Sequence, residues 1–499
     1  MNKTAVVSTR FRDHPPGLFY LFFAEMWERF SFYGLRALLV LYMVHDLLYN
    51  HERSISIYST YMALVYTSPI IGGLIADYYL GERKAIILGA ILIACGHITL
   101  AMPNENFFFP GLAFIISGTG FFKSNISALL GRLYHHGDPR RDAGFTLFYV
   151  GINIGSLFAT LICGWVGENI GWHYGFSLAA IGMIFGLLIF LRGIKSFKGH
   201  GEQPPDSIDR LPLLNGFTWE HVIYIMAFVS VPIGAIMLQN YQAFNYILPV
   251  GAVIIIAYMI YLSTHGTKDD RQGILTILVF MFFNAMFWSL FEQAGSSMNL
   301  FTDLAVDKNF FGWNVPTTWF QSLNPLFIII FGPLFAQAWV SLAAKNREPY
   351  TPFKFFLGLV LTAIGFGFLA FGAYYPNSAG QVLMIWLILA YLFQTFGELC
   401  LSPVGLSMVT KLSPLKLIGT LMGIWMISLA YGHYIAGILA RLSATTAEAT
   451  PNQHLETYAS AFMITMSVGF VSAIVLLIIS PLLNTVFKRE EHMKDDAAR

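Results

Sequence analysis

An all-helical polytopic membrane fold, with two sets of six spans and two further spans between them, is predicted by three observations. Of the 499 residues, 56% are hydrophobic and only 11% charged, against about 25% charged in soluble domains. The apolar residues fall into runs of membrane-crossing length, punctuated by Gly, Pro and charge. Lysine and arginine are distributed unevenly across that layout: 23 of the 29 lie on the side of the N-terminus, three (Arg53, Lys308 and Arg441) lie opposite, and three (Arg29, Arg36 and Lys123) lie within spans. The positive-inside rule then places both termini in the cytoplasm, and the same split supports an even number of spans, because one missed helix would exchange the sides.

Each element follows in chain order. Residues 1–17 are polar and basic, with no short apolar core before a small-residue cleavage site, so they read as a cytoplasmic tail rather than a signal peptide. Runs near 18–48, 55–80, 85–102, 108–133, 144–170 and 172–193 form a first six-helix bundle, 18–193. The charged stretch 195–216, with Gln203-Pro-Pro-Asp206, reads as a loop. Spans near 221–239 and 244–264 follow it, and Thr267-Lys-Asp-Asp-Arg271 closes a linker of 194–271. Runs near 272–302, 316–343, 353–375, 380–411, 416–441 and 458–487 give the second bundle, 272–487, before a tail of 488–499. The total is 14 spans.

Composition also excludes functions. No stretch outside the runs is long enough for a soluble catalytic or nucleotide-binding domain, and a net charge of +1 gives no reason to expect nucleic acid as a partner. Cys95, Cys163 and Cys400 all sit in apolar runs, as small hydrophobes do, and form no disulfide framework or zinc spacing. No metal or organic cofactor is expected, and HExxH and GxSxG are absent, which argues against an intramembrane enzyme.

The chemistry must therefore lie in the charges inside the spans. An ionised side chain at bilayer depth costs at least about 2.5–3.5 kcal/mol on insertion scales, so each needs a cavity or a partner. Glu25, Arg29, Tyr33 and Arg36 share one helical stripe, with Glu28 beside it. Gly72-Gly73-Leu-Ile-Ala76-Asp77 and Gly81-Glu82-Arg83-Lys84 join the second and third spans, where the glycines permit close packing and a tight turn, and Asp77, Arg83 and Lys84 can form ion pairs. Gly118-Thr-Gly120-Phe-Phe-Lys123-Ser124 lacks the spacing and the preceding strand of a phosphate loop, so Lys123 reads as an intramembrane cation that needs a carboxylate.

The Gly72–Lys84 pattern resembles the loop motif of the major facilitator superfamily, whose members are secondary transporters built from two six-helix halves. Together with Glu25-Met-Trp-Glu28-Arg29-Phe30, Phe145-Thr-Leu-Phe-Tyr149-Val-Gly151-Ile-Asn153, Phe287-Trp288 with Glu292-Gln293, Phe320-Gln321-Ser-Leu-Asn324-Pro325, Gly397-Glu398-Leu-Cys-Leu-Ser402-Pro403 and Met422-Gly423-Ile-Trp425, it resembles the bacterial-type proton-dependent oligopeptide transporters of that superfamily. There are departures. The family's Lys-Pro-Asn-Ile reads Lys123-Ser124-Asn125-Ile126, which is expected to remove a kink, and its Tyr-Tyr-Gly reads Phe32-Tyr33-Gly34. The second-span histidine of mammalian members is absent, with Ser59 near that place. His97 and His433 are accordingly expected to be packing or pore-wall residues.

The resemblance implies a proton-coupled importer of di- and tripeptides in the bacterial inner membrane, working as a monomer by alternating access, with protons and the lipid bilayer as its other partners. The peptide carboxylate is expected near Arg29 and Lys123 and its ammonium near Glu398. Asn153 and Asn324 are hydrogen-bonding partners, Ser402 joins the substrate-binding set, and Tyr33, Tyr66, Trp288 and Trp425 form the walls. Aromatic walls accept varied side chains through area and cation–π contact. Glu25, Glu28, Arg29 and Lys123 are expected to handle the proton, since burial and opposite charges act against one another on the two acids. Arg36 and Glu292 are expected to form an outer gate, and Pro403 to let ligand contact and bending couple. Other cargoes (a peptidomimetic, nitrate or another small solute) and a non-transporting receptor remain open at this point.

Overall fold

The computed structural model describes residues 13–135, 138, 140–203, 212–214, 217–345, 347–445 and 449–497. The basic residues of the N-terminal tail before 13 and the Pro-Pro-Asp206 stretch lie outside the described residues, as does the side chain of Pro403. Nearly everything else is helical. In a bilayer the backbone must satisfy its own hydrogen bonds, and a helix does this within one segment.

The helices are α1 (Gly17–His45), α2 (His51–Ile75), α3 (Gly81–Leu100), α4 (Phe108–Arg132), α5 (Arg141–Asn169), α6 (Trp172–Gly193), α7 (Trp219–Gln239), α8 (Phe244–Thr264), α9 (Lys268–Phe291), α10 (Ser297–Ala305), α11 (Leu323–Ala344), α12 (Thr351–Tyr374), α13 (Met384–Leu412), α14 (Ile418–Arg441) and α15 (Pro451–Ala497). Twelve stretches among the described residues are long and apolar enough to cross a membrane. One of them, His51–Leu100, contains both α2 and α3. α1 is not among them, because Glu25, Glu28, Arg29 and Arg36 put three or more charges in every 18-residue window.

The chain divides into two compact units, one of residues 1–42 and 64–239, the other of residues 43–63 and 240–499. Small residues set the packing of the first. Gly118 of α4 faces the Gly89 carbonyl of α3 so closely that an added Cβ would lie 2.7 Å from it, and Gly96 and Gly111 repeat the arrangement two turns away. A Cβ on Gly120 would lie 3.0 Å from the Ser68 carbonyl of α2. The Gly118-Thr-Gly120 sequence is thus a helix-contact surface, and it brings Lys123 past α2. α4 runs unbroken through Ser124, whose hydroxyl donates to the Pro69 carbonyl at 3.2 Å.

One sequence expectation changes at the α2–α3 turn. A π-helical turn, Ala76–Leu80, leads into Gly81, whose φ of 74° and near-contact with the Glu202 carbonyl (2.6 Å from an added Cβ) both demand glycine. Asp77 is exposed there and pairs with no described residue; the acid that pairs is Glu82, almost fully buried and 2.5 Å from Arg132. Arg83 reaches Glu202 at 3.0 Å and the His200 carbonyl at 2.6 Å, while Lys84 reaches Glu220 at 2.6 Å, so the start of the linker is fastened to this turn.

In the second unit, Thr267 and Asp270 form a reciprocal capping box that starts α9. The span expected near 272–302 lies within one membrane-crossing stretch, Lys268–Ala305, but not as one helix. It breaks into a 3-10 turn, Glu292–Gly295, and resumes as α10 after Ser296 takes φ −127° and ψ −97°.

Candidate functional site

The predicted residues are divided between the two units, and within each the charged ones meet a partner. In the first, α1 places Glu25, Glu28 and Arg29 on adjacent turns. Arg29 Nε lies 2.9 Å from Glu25 Oε1 and 2.6 Å from Glu28 Oε2, and all three side chains are buried, Glu28 to 1% exposure. One guanidinium thus faces two carboxylates, an arrangement one proton short of neutrality. Arg29 Nη2 and Glu25 Oε2 are buried with no hydrogen-bond partner among the described residues, so they remain open to a ligand or a proton. The Lys123 ammonium sits 3.5 Å from the ring centre of Tyr66, the expected wall residue. Arg29 also packs over Phe32 at 5.4 Å, and Arg36 over Tyr33 at 5.6 Å.

α5 holds this cluster in place. Gly155 faces the Met26 carbonyl and the Arg29 Cβ with no room for a side chain, and Gly151 does the same against Phe22. Asn153, between them and buried, donates to the Tyr149 carbonyl at 2.9 Å, which leaves its oxygen as an acceptor.

In the second unit, Asn324 on α11 donates to Glu398 Oε2 at 2.9 Å and to Thr395 Oγ1 at 3.1 Å on α13, so the predicted acid and amide do meet. Ser402, half-buried, lies one turn beyond Glu398 on α13. Trp288 donates to Asn284 Oδ1 at 3.2 Å, and Asn284 in turn donates to Ser428 Oγ at 2.7 Å on α14, which fixes the indole plane. Trp425, also on α14, is buried against Gly405 and lies 6.5 Å from the Phe355 ring.

Sequence reasoning missed Asn284 and Thr395. A lone amide one turn before Trp288 in an apolar run, and a hydroxyl three residues before Glu398, were the available signals. His433 also does more than pack: its Nδ1 stands 3.7 Å from Glu292 Oε2, both buried, at the break between α9 and α10. His97 fits its expected packing role, fully buried in α3. Arg36 and Glu292 belong to different units. Among the described residues no cluster of His, Cys, Asp or Glu is arranged to hold a metal ion.

The family model described as the POT family matches residues 83–459. The chain belongs to the POT family. Its members are secondary transporters, and this chain is a multi-pass membrane transporter rather than an enzyme. It is 38% identical over 455 residues to the peptide transporter YePEPT of Yersinia enterocolitica subsp. palearctica serotype O:3 (strain YE-P4), covering 86% of this chain and 88% of that protein. It is 36% identical over 499 residues to a di-/tripeptide transporter of Lactococcus lactis subsp. cremoris, covering 96% and 97%. Among solved structures, a mutant of the peptide transporter POT in complex with alafosfalin superposes with a TM-score of 0.84 at 35% identity, covering 97% of this chain and 99% of that one.

Proposed function

We propose that this POT family transporter imports di- and tripeptides together with protons across the bacterial inner membrane, as a monomer with both termini cytoplasmic. The observation that carries the reading is the opposed chemistry of the two buried clusters: Arg29 and Lys123 with two acids in the first, a carboxylate held by Asn324 in the second. A short peptide is a zwitterion, with a carboxylate for the first cluster and an ammonium for the second. The names of the Yersinia and Lactococcus relatives support the same cargo.

In this reading a proton binds Glu25 or Glu28 and releases Arg29 from one carboxylate. Arg29 and Lys123 then take the peptide carboxylate, Glu398 and Asn324 take the ammonium, and Tyr33, Tyr66, Trp288 and Trp425 wall the side chains. Each proton moving inward adds about 2.3 kcal/mol per 100 mV of membrane potential, enough to concentrate substrate. The bundles 18–193 and 272–487 rock against one another, with Arg36 and Glu292 paired when the site opens inward.

Uptake of a labelled dipeptide into liposomes under an imposed pH gradient, with a proton ionophore as control, tests the proposal. Gradient-driven accumulation is expected in the wild-type protein. Glu25→Gln and Glu28→Gln should retain counterflow and lose the pH-driven component in at least one case; if both keep it, the proton role is wrong. Alafosfalin in the solved relative supports a second, compatible cargo class of peptidomimetics, which should compete with dipeptide uptake.

A further inference from the structure

The second unit contains a cavity of about 300 Å³ that the transport reading does not use. It lies at the end where α2 begins and α14 ends. Glu52 and Ser56 of α2, Asn245 and Tyr246 of α8, and Tyr434 and Arg441 of α14 are among its lining residues. Tyr434 donates to Asn245 Oδ1 at 3.3 Å, which ties α14 to α8, and Arg441 Nη1 donates to Ser56 Oγ at 3.4 Å.

Two charges of opposite sign face this one cavity without closing on each other. Among the described residues no carboxylate pairs with Arg441 and no cation pairs with Glu52, although a direct ion pair between them would satisfy both. A ligand that joins an anion to a cation fills that gap. Tyr246 both lines the cavity and is 77% exposed, and the exposed apolar residues Ile247, Val250, Val253 and Ile254 continue from it along α8. The cavity is polar and its rim is greasy, and α8 is long and apolar enough to cross a membrane. A hydrophilic zwitterion alone would leave that rim unused, whereas a lipid uses both parts.

We propose that this cavity is a phospholipid site for a headgroup of the phosphatidylethanolamine type, with phosphate on Arg441, the primary ammonium on Glu52, and acyl chains along the exposed face of α8. The guanidinium matches a phosphate in charge and geometry, and a primary ammonium offers N–H donors that Glu52 and the neighbouring hydroxyls can accept. In this site α8 supplies both one wall of the headgroup cavity and the track for the chains. Only membrane insertion is assumed, not the peptide-transport reading.

Native mass spectrometry of the purified full-length transporter, titrated with phosphatidylethanolamine, phosphatidylglycerol and phosphatidylcholine of identical acyl chains, tests the site. Phosphatidylethanolamine should bind about tenfold more tightly than either of the others, the scale of one charge-assisted hydrogen bond. Glu52→Gln should abolish the preference over phosphatidylglycerol and leave phosphatidylglycerol binding unchanged, Arg441→Gln should weaken both about tenfold, and Arg441→Lys should retain most of the affinity. Unchanged melting temperatures and unchanged gel-filtration profiles of these variants establish that folding is not the cause. Equal binding of the three lipids, preference for phosphatidylcholine, persistence of the preference in Glu52→Gln, or displacement of bound lipid by a dipeptide would each overturn the proposal.

Discussion

Arg29 faces two acids through one edge of its guanidinium, which leaves Nη2 without a hydrogen-bond partner among the described residues, the atom that the proposed function gives to the peptide carboxylate. The corresponding device in the second unit is Asn324, whose amide holds Glu398 in a fixed orientation. Asn324→Ala should raise the dipeptide KM by about tenfold, because one hydrogen bond to a charged group contributes about 1.5–3 kcal/mol; uptake kinetics in liposomes check it. Asn284→Ala should act differently. It strands the Trp288 indole N–H, while the Ser428 hydroxyl keeps its bond to the Trp425 carbonyl, so a stability loss of about 1–3 kcal/mol is expected, read as a lower melting temperature in detergent. Trp288 itself was legible in the sequence, while the amide that orients it was not, since its partner Ser428 is 144 residues away.

At the scale of elements, glycines decide how near the helices come, and so where the site residues stand. Gly155→Ala adds a methyl group against the Met26 carbonyl and should displace α1 just where Arg29 emerges. Overpacking of this kind costs about 1–3 kcal/mol, and here it should lower transport more than expression. Gly81 is held at φ 74° with the linker carbonyl of Glu202 against it. Gly81→Ala should therefore release the linker from Arg83, and faster proteolysis between 198 and 219 in the purified protein would show it. The short motif around Gly118 and Gly120 looked in sequence like a failed phosphate loop. Its use as a packing surface depends on Gly89 and Ser68, which lie on two other helices.

For the whole molecule, the proposed alternation between inward-open and outward-open states assigns Arg36 and Glu292 a single bond between bundles. A charge-exchanged R36E/E292R protein should recover uptake relative to either single change. Absence of any rescue in the double variant counts against direct pairing. Helical class, membrane-crossing lengths, family and the identity of the buried charges could all be read along the chain, because apolar run length and the cost of burying charge are properties of a local segment. Which acid answers which base could not: Glu82 and not Asp77 pairs at the α2–α3 turn, and His433 stands beside Glu292. The folded protein likewise shows that the span near 272–302 is two helices parted by a turn at Glu292–Gly295, and that α7 folds with the first unit and α8 with the second. These outcomes rest on contacts between residues far apart in the chain, and such contacts leave no periodic trace in either partner's own segment.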